Sequence, residues 1–349
     1  MSSKKDNTSK RKREHLELCL NDDVDFKEKT TGFERYEFDH YAITEIDISK
    51  IKFSTTFFKK KIKYPFLISC MTGGVKEAGD INSRLSIAAN ELNIPLGVGS
   101  QRQALESDKH LDTYKVIRKN APSIPILANL GAAQLVKIKP IDKIQSLVDM
   151  VEADAMVIHV NPLQELLQED GDTNFGGLLR RLEKIVKILK VPVIVKEVGS
   201  GISRKAAQKI LETGVKGIDV AGAGGTSWAG VEMMRTKNTK DANFWDWGLP
   251  TAYCIKTLVS IKDYHEFMLI GSGGINNPFD AAKAFALGAD LVASAKLILL
   301  TLEENGIEGV VALVNDWFET IKKIMYLTGS ANMAEFHNKN NLIMKDELF

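Results

Sequence analysis

The chain has 349 residues, 44% of them hydrophobic and 26% charged, with a net charge of +1. That balance supplies a large core, excludes a disordered or collagen-like chain, and excludes bulk attraction to a polyanion such as nucleic acid. Cys19, Cys70 and Cys254 form no CxxC pair, and no apolar run approaches the ~20 residues that span a bilayer, so the expectation is a cytoplasmic protein with no disulfide framework, zinc ribbon or membrane helix.

In chain order, the first notable stretch is KRKREHLEL at 10–18. Residues 1–15 carry six cations against two acids, and the first ten or so are expected to be disordered. Arg11, Lys12 and His15 then fall at i, i+1 and i+4 near the start of an expected helix. A solvated charge run is the usual outcome for such a stretch. No aromatic interleaving supports a nucleic-acid tail, and the segment is read instead as a clamp on an anionic substrate.

Eight short, continuously apolar runs follow, as buried parallel strands require: 65–70, 95–100, 125–131, 155–161, 192–198, 217–222, 267–274 and 290–295. Between them, segments such as 82–92 and 175–189 carry helical spacing. Eight strand–helix repeats predict an α/β fold, a (β/α)8 TIM barrel, with a doubly wound sheet as the alternative. Residues 1–60 form an N-terminal extension, 61–330 the barrel and 331–349 a tail without functional signal. A tryptophan-rich insertion at 226–248, after strand six, is expected to be a lid or a subunit contact.

Nearly every strand ends in polar or glycine residues, and in a barrel those ends converge on one face. GAGGT (222–226) and GSGGI (271–275) end neighbouring strands, which suits a phosphate cradled by backbone N–H groups. Lys196, inside VIVKEV, is costly to bury without a purpose; a cation there suits the pyrimidine edge of a reduced flavin. The fourth strand ends HVNPLQE (159–165): alternation aims His159 and Asn161 the same way, Pro162 stops the strand, and Gln164 and Glu165 reach the mouth. A lone carboxylate with diphosphate oxygens is how Mg2+ is usually held.

RKREH (11–15), MTGG (71–74), GVGSQR (97–102), HVNPLQE (159–165), VKEVG (195–199), GAGGTSW (222–228), GSGGI (271–275) and ALGAD (286–290) stand in the order that resembles type II isopentenyl diphosphate isomerases, over Arg11 to about Ser330. The resemblance implies an enzyme interconverting isopentenyl and dimethylallyl diphosphate, with reduced FMN, Mg2+ and NADPH as reductant, and a homo-oligomer of four or more chains. It implies Gln164 and His159 as catalytic residues, with Arg11, Lys12, His15, Ser100, Arg102, His159, Asn161 and Gln164 around the substrate, and Glu165 on the metal. The flavin would be held by Cys70, Met71, Thr72, Gly73, Ser100, Asn129, Lys196, Thr226, Gly274, Ile275, Asn276, Ala295 and Lys296. Ala221, Asn276 and Lys296 depart from the family pattern, which bears on FMN affinity. One rival is an FMN-dependent oxidoreductase of the hydroxy-acid oxidase or nucleotide dehydrogenase type, which Cys70 invites although no HGG-type or Cys-loop signature accompanies it; the other is a non-catalytic flavin- or phosphate-binding barrel, against which the intact HVNPLQE weighs.

Overall fold

Eight strands close on themselves in chain order. In this computed structural model, which describes residues 3–238, 240–337 and 341–348, they are β1 (Phe66–Ile68), β2 (Leu96–Gly97), β3 (Ile126–Gly131), β4 (Ala155–His159), β5 (Val193–Lys196), β6 (Gly217–Asp219), β7 (Met268–Gly271) and β8 (Leu291–Ser294). Every pairing is parallel, and β8 pairs with β1, so no edge remains and the doubly wound alternative falls. Each expected strand formed, and most are shorter than their apolar runs because the polar ends turn out into loops.

Side chains alternate along a strand. Leu67, Leu127, Ala155, Val157, Ile194, Ile270, Leu291 and Ala293 share one buried cluster inside the barrel, while Met156, Ile158, Val195 and Ile218 pack outward against the helices. Phe57 and Ile62, from the hairpin Thr55–Phe57/Lys60–Ile62, join the inner cluster. Lys60 of that hairpin binds the Asp154 carboxylate and the Ile124 carbonyl, which places it where the strands begin. Burying each large aliphatic side chain contributes ~1.5–3 kcal/mol, so the apolar half of the barrel holds the fold. The other half is thereby free to carry polar groups.

The same parity turns Asn129, His159, Lys196 and Asp219 inward at the opposite end. Strand register sets Gly131 beside His159, His159 beside Lys196, and Lys196 beside Asp219, which makes a polar row across the barrel mouth.

The N-terminal helix and the insertion cover that mouth, and the start of the C-terminal helix lines it. The N-terminal helix spans Ser3–Asn21. It begins within the stretch expected to be disordered, and residues 1–2 lie outside the described residues. Its Leu16 and Leu20 pack against the core. The insertion folds as a helix, Trp228–Thr236, started by Ser227, whose hydroxyl accepts the Gly230 N–H at 3.0 Å and donates to the Trp245 carbonyl. Of its three tryptophans only Trp247 is largely exposed, at 59%. The C-terminal helix, Lys296–Leu327, is kinked at Gly306. The tail also has a structural place: Leu342–Met344 pairs antiparallel with Tyr36–Phe38 of the extension. Among the described residues, no helix is long and apolar enough to cross a membrane.

Candidate active site

A cavity of about 520 Å³ opens at the carboxyl ends of the strands, and every residue assigned above to substrate, metal or flavin lines it. It has a floor, two ends and a roof.

The floor is the polar row. Asn129 Nδ2 donates to the Val98 carbonyl at 3.1 Å, so its Oδ1 must face His159 Nδ1, 2.8 Å away. Burial, then Lys196 and Lys12, pull the His159 ring down to about 3, which keeps it neutral. A neutral ring that donates from Nδ1 presents Nε2 to the cavity as an acceptor. Lys196 Nζ donates to the Glu197 carbonyl at 2.6 Å. Asp219, fully buried, accepts from the Ser272 hydroxyl; burial raises its carboxyl, and Lys196 and Ser272 oppose that rise.

One end gathers cationic side chains. Arg11 lines the cavity near Arg102, Glu232 and Glu165, and it makes no hydrogen bond to another described residue. Arg102 uses its Nε on Glu106 at 2.9 Å, leaving its remaining N–H groups for the cavity. Arg11 and Arg102 lie close enough to repel each other, a repulsion that an anion bound between them would relieve. Lys12 also lines this end, yet its ammonium is tied to the carbonyls of Gly73 and Ser100 (2.9 Å) and to the Tyr114 hydroxyl (3.3 Å). Burial, then Arg11, lower it to about 7. Glu165 turns one oxygen to the Asp172 N–H at 2.6 Å and keeps only a long 3.4 Å contact from Asn161 on the other. Asn161 Oδ1 is buried and has no hydrogen-bond partner among the described residues.

The opposite end is made of backbone. The glycine loops after β6 and β7 touch main chain to main chain: a Cβ on Gly225 would stand 2.5 Å from the Gly274 nitrogen. The N–H groups of Gly274 and Ile275 have no backbone acceptor among the described residues. Beside them the C-terminal helix starts at Lys296 with no side-chain cap, so its orphan N–H groups and positive dipole end face the cavity. Thr226, Asn276, Ala295 and Lys296 complete this end, and the MTGG loop, Cys70 and Ser100 lie across from it.

The roof joins the N-terminal and insertion helices through Glu232, which sequence reading passed over. Glu232 is fully buried, accepts from Arg235 Nε at 2.9 Å and Gln164 Nε2 at 3.1 Å, and stands 2.9 Å from His15 Nε2. That last contact is an ion-pair distance without hydrogen-bond alignment. Burial raises the Glu232 carboxyl, but His15, Arg235 and Gln164 together hold it near 2. Trp228 meets the His15 ring edge-on at 5.2 Å. A single carboxylate inside WAGVEMM, an otherwise apolar helical stretch, was the available signal for Glu232. Asp219, the single carboxylate in the apolar strand GIDVAG, carried a similar signal, whereas Tyr114 had none, since packing alone brings it to the site.

A parallel eight-stranded barrel with backbone N–H groups left without acceptors among the described residues at its mouth defines a class, and residues 167–343 match the family model described as FMN-dependent dehydrogenase. Solved structures agree on the fold: flavocytochrome b2 with sulfite bound superposes with a TM-score of 0.70 at 17% identity, covering 95% of this chain and 83% of that one. A lactate oxidase from Pediococcus acidilactici gives 0.69 at 15% identity, covering 97% and 94%. Full-length relatives are more specific. Proteins named isopentenyl-diphosphate delta-isomerase are 44% identical in Nostoc sp. (96% of each chain) and 41% in Pelodictyon phaeoclathratiforme (95% of this chain, 96% of that one). A third, from Pseudescherichia vulneris, is 43% identical over 96% of this chain and 97% of its own. The chain belongs to the isopentenyl-diphosphate delta-isomerase family, on the FMN-dependent barrel.

Proposed function

We propose that this protein interconverts isopentenyl and dimethylallyl diphosphate by a redox-neutral shift of the double bond, with FMN in the barrel mouth. The observation that carries this reading is the cavity's two anion-receiving ends, one of guanidiniums and one of backbone N–H groups. A substrate diphosphate and a flavin phosphate together need both.

The residues present fit FMN. The uncapped helix start and the free N–H groups beside Gly274 suit its phosphate, and Lys196 in the floor suits a flavin ring that gains negative charge on reduction. Bound and reduced, FMN supplies proton-donating and proton-accepting ring atoms beside an alkene. Reduction is assigned to NADPH from solution.

Arg11 and Arg102 bind the diphosphate, bidentate donors matching its oxygens. Glu165 would hold the Mg2+ that accompanies the diphosphate. Among the described residues no group of three metal-binding side chains exists, which suits an ion arriving with its substrate rather than a resident one. Gln164, oriented by Asn161 Nδ2 (3.0 Å) and Glu232, directs its amide at the alkene or relays a proton to it. The neutral His159 accepts at Nε2. The N-terminal helix and Trp228 exclude water, which strengthens each of these contacts.

The oxidase-like neighbours share the fold at under 20% identity and carry no more than that. An oxidase of hydroxy acids needs a base able to take an alcohol proton, and burial beside Lys196 and Lys12 works against that role for His159 by lowering its basicity. The three free thiols, Cys19, Cys70 and Cys254, suit a cytoplasmic setting, and assembly into a homo-oligomer is part of the same proposal.

The test is anaerobic 1H NMR in D2O with protein, isopentenyl diphosphate, Mg2+, FMN and NADPH, against a control without reductant. Dimethylallyl diphosphate carrying deuterium, formed only with reduced flavin, is the expected result. Steady NADPH consumption without conversion would overturn it in favour of the oxidoreductase.

A further inference from the structure

Residues 24–31 form a strap beside the backbone end of the cavity. Its seat is main chain on main chain: the Phe26 N–H donates to the Gly225 carbonyl at 2.9 Å, and the Ser227 N–H to the Val24 carbonyl at 2.8 Å. The Trp245 indole donates to the Asp25 carbonyl at 2.9 Å, and the Asp246 carboxylate accepts the N–H groups of Lys27, Glu28 and Lys29 at 3.0, 3.1 and 3.2 Å. The backbone of Asp25 is therefore fixed from both sides, while its side chain lines the cavity.

That side chain meets two of the donors this end offers. Asp25 Oδ1 takes the Lys296 ammonium at 3.1 Å and the Thr226 hydroxyl at 3.4 Å. Among the described residues lining the cavity, the carboxylates are Asp25 and Glu165, and Glu165 belongs to the guanidinium end. An end otherwise built to receive an anion thus contains one of its own.

We propose that Asp25 is a built-in competitor for the flavin phosphate, occupying Lys296 and Thr226 when no phosphate is there; this rests on the FMN reading above. The pair is easily broken. Lys296 keeps 22% and Asp25 43% of its side-chain surface in solvent, and an ion pair that exposed is weak. A phosphate carries up to two charges and three acceptor oxygens, so it takes Lys296 from a single carboxylate, and Asp25 turns to water with little desolvation to undo. By reciprocity, FMN binding loosens the side-chain link between strap and barrel while the main-chain links stay.

The experiment is fluorescence titration of the full-length apoprotein with FMN and, separately, with riboflavin, which has the same ring and no phosphate. Asp25→Asn should tighten FMN roughly three- to fivefold, the scale of one partly exposed charge contact, and leave riboflavin unchanged. Lys296→Met should weaken FMN about tenfold, again without effect on riboflavin. Asp25→Ser gives a second route to the same answer if the Asn variant fails to fold. FMN binding that is unchanged or weaker in both Asp25 variants overturns the inference, as does an equal shift for riboflavin, which would mark a change in the strap itself. Wild-type protein that binds neither flavin overturns the FMN reading together with this one.

Discussion

His159 Nδ1 stands 2.8 Å from Asn129 Oδ1, and that contact decides which ring nitrogen faces the cavity. Asn129 cannot turn over without losing its donation to the Val98 carbonyl, so the tautomer is fixed from behind. Asn129→Ala frees the ring and strands a buried N–H, a cost of ~1–3 kcal/mol. The expected outcome is a fall in kcat of about tenfold or more, measured at saturating FMN. Histidine 15N NMR checks the cause: wild-type His159 should stay neutral and Nδ1-protonated at pH 5, and the variant should show mixed tautomers.

Lys12 gives a pH signature. Burial and Arg11 hold it near 7, below the 10.5 of an ordinary lysine, so at pH 8 the free ammonium is mostly deprotonated. A diphosphate beside it favours the charged form and raises that value. Proton uptake on binding should therefore grow as pH rises through 7, and affinity should weaken over the same range. Calorimetry in two buffers of different ionisation enthalpy measures the uptake. Lys12→Met should abolish it; uptake that persists would move the proton to another group.

Much of this site was legible in the sequence because barrels convert linear order into a ring. HVNPLQE and the two glycine loops lie on the turns that parity and strand order bring to one face, so reading strand ends was enough to assemble Asn129, His159, Lys196 and Gly274. Arg11 needed only helical spacing and a charge. What stayed hidden depends on packing between distant segments. Glu232 takes its role from His15, 217 positions earlier, and no local pattern announces that meeting. Tyr114 sits under Gly73 and Gly74, where a Cβ would fall 2.2 and 2.6 Å from its side chain, a contact only coordinates reveal. Lys12 reads as an anion ligand by composition, and its ties to two carbonyls appear only in three dimensions.

Glu232 holds the roof together, and its removal should show as loosening rather than collapse. Glu232→Gln leaves Arg235 and His15 beside a neutral amide. Both keep some solvent contact, 11% and 13%, so the cost is about 2–3 kcal/mol, below that of breaking a sealed ion pair. Urea unfolding measures the loss. Hydrogen exchange should rise in Ser3–Asn21 and Trp228–Thr236 while the barrel strands stay protected; an even rise across the strands would show that Glu232 supports the whole fold instead.

Gly225 separates flavin loss from fold loss. An alanine Cβ there would lie 2.5 Å from the Gly274 nitrogen and 2.8 Å from its Cα, against backbone that no rotamer change can clear. The loops after β6 and β7 must then part, and they form the backbone end of the cavity. The apolar clusters inside and around the barrel are untouched, so thermal unfolding should shift by only a few degrees, as a ~1–2 kcal/mol change would give. FMN affinity should fall by at least about tenfold, since the N–H groups flanking Gly274 no longer converge on one anion. Titration with FMN and a thermal melt on the same sample decide the matter. Unchanged FMN affinity would mean that the loops close on each other for packing alone and that the phosphate lies elsewhere in the mouth.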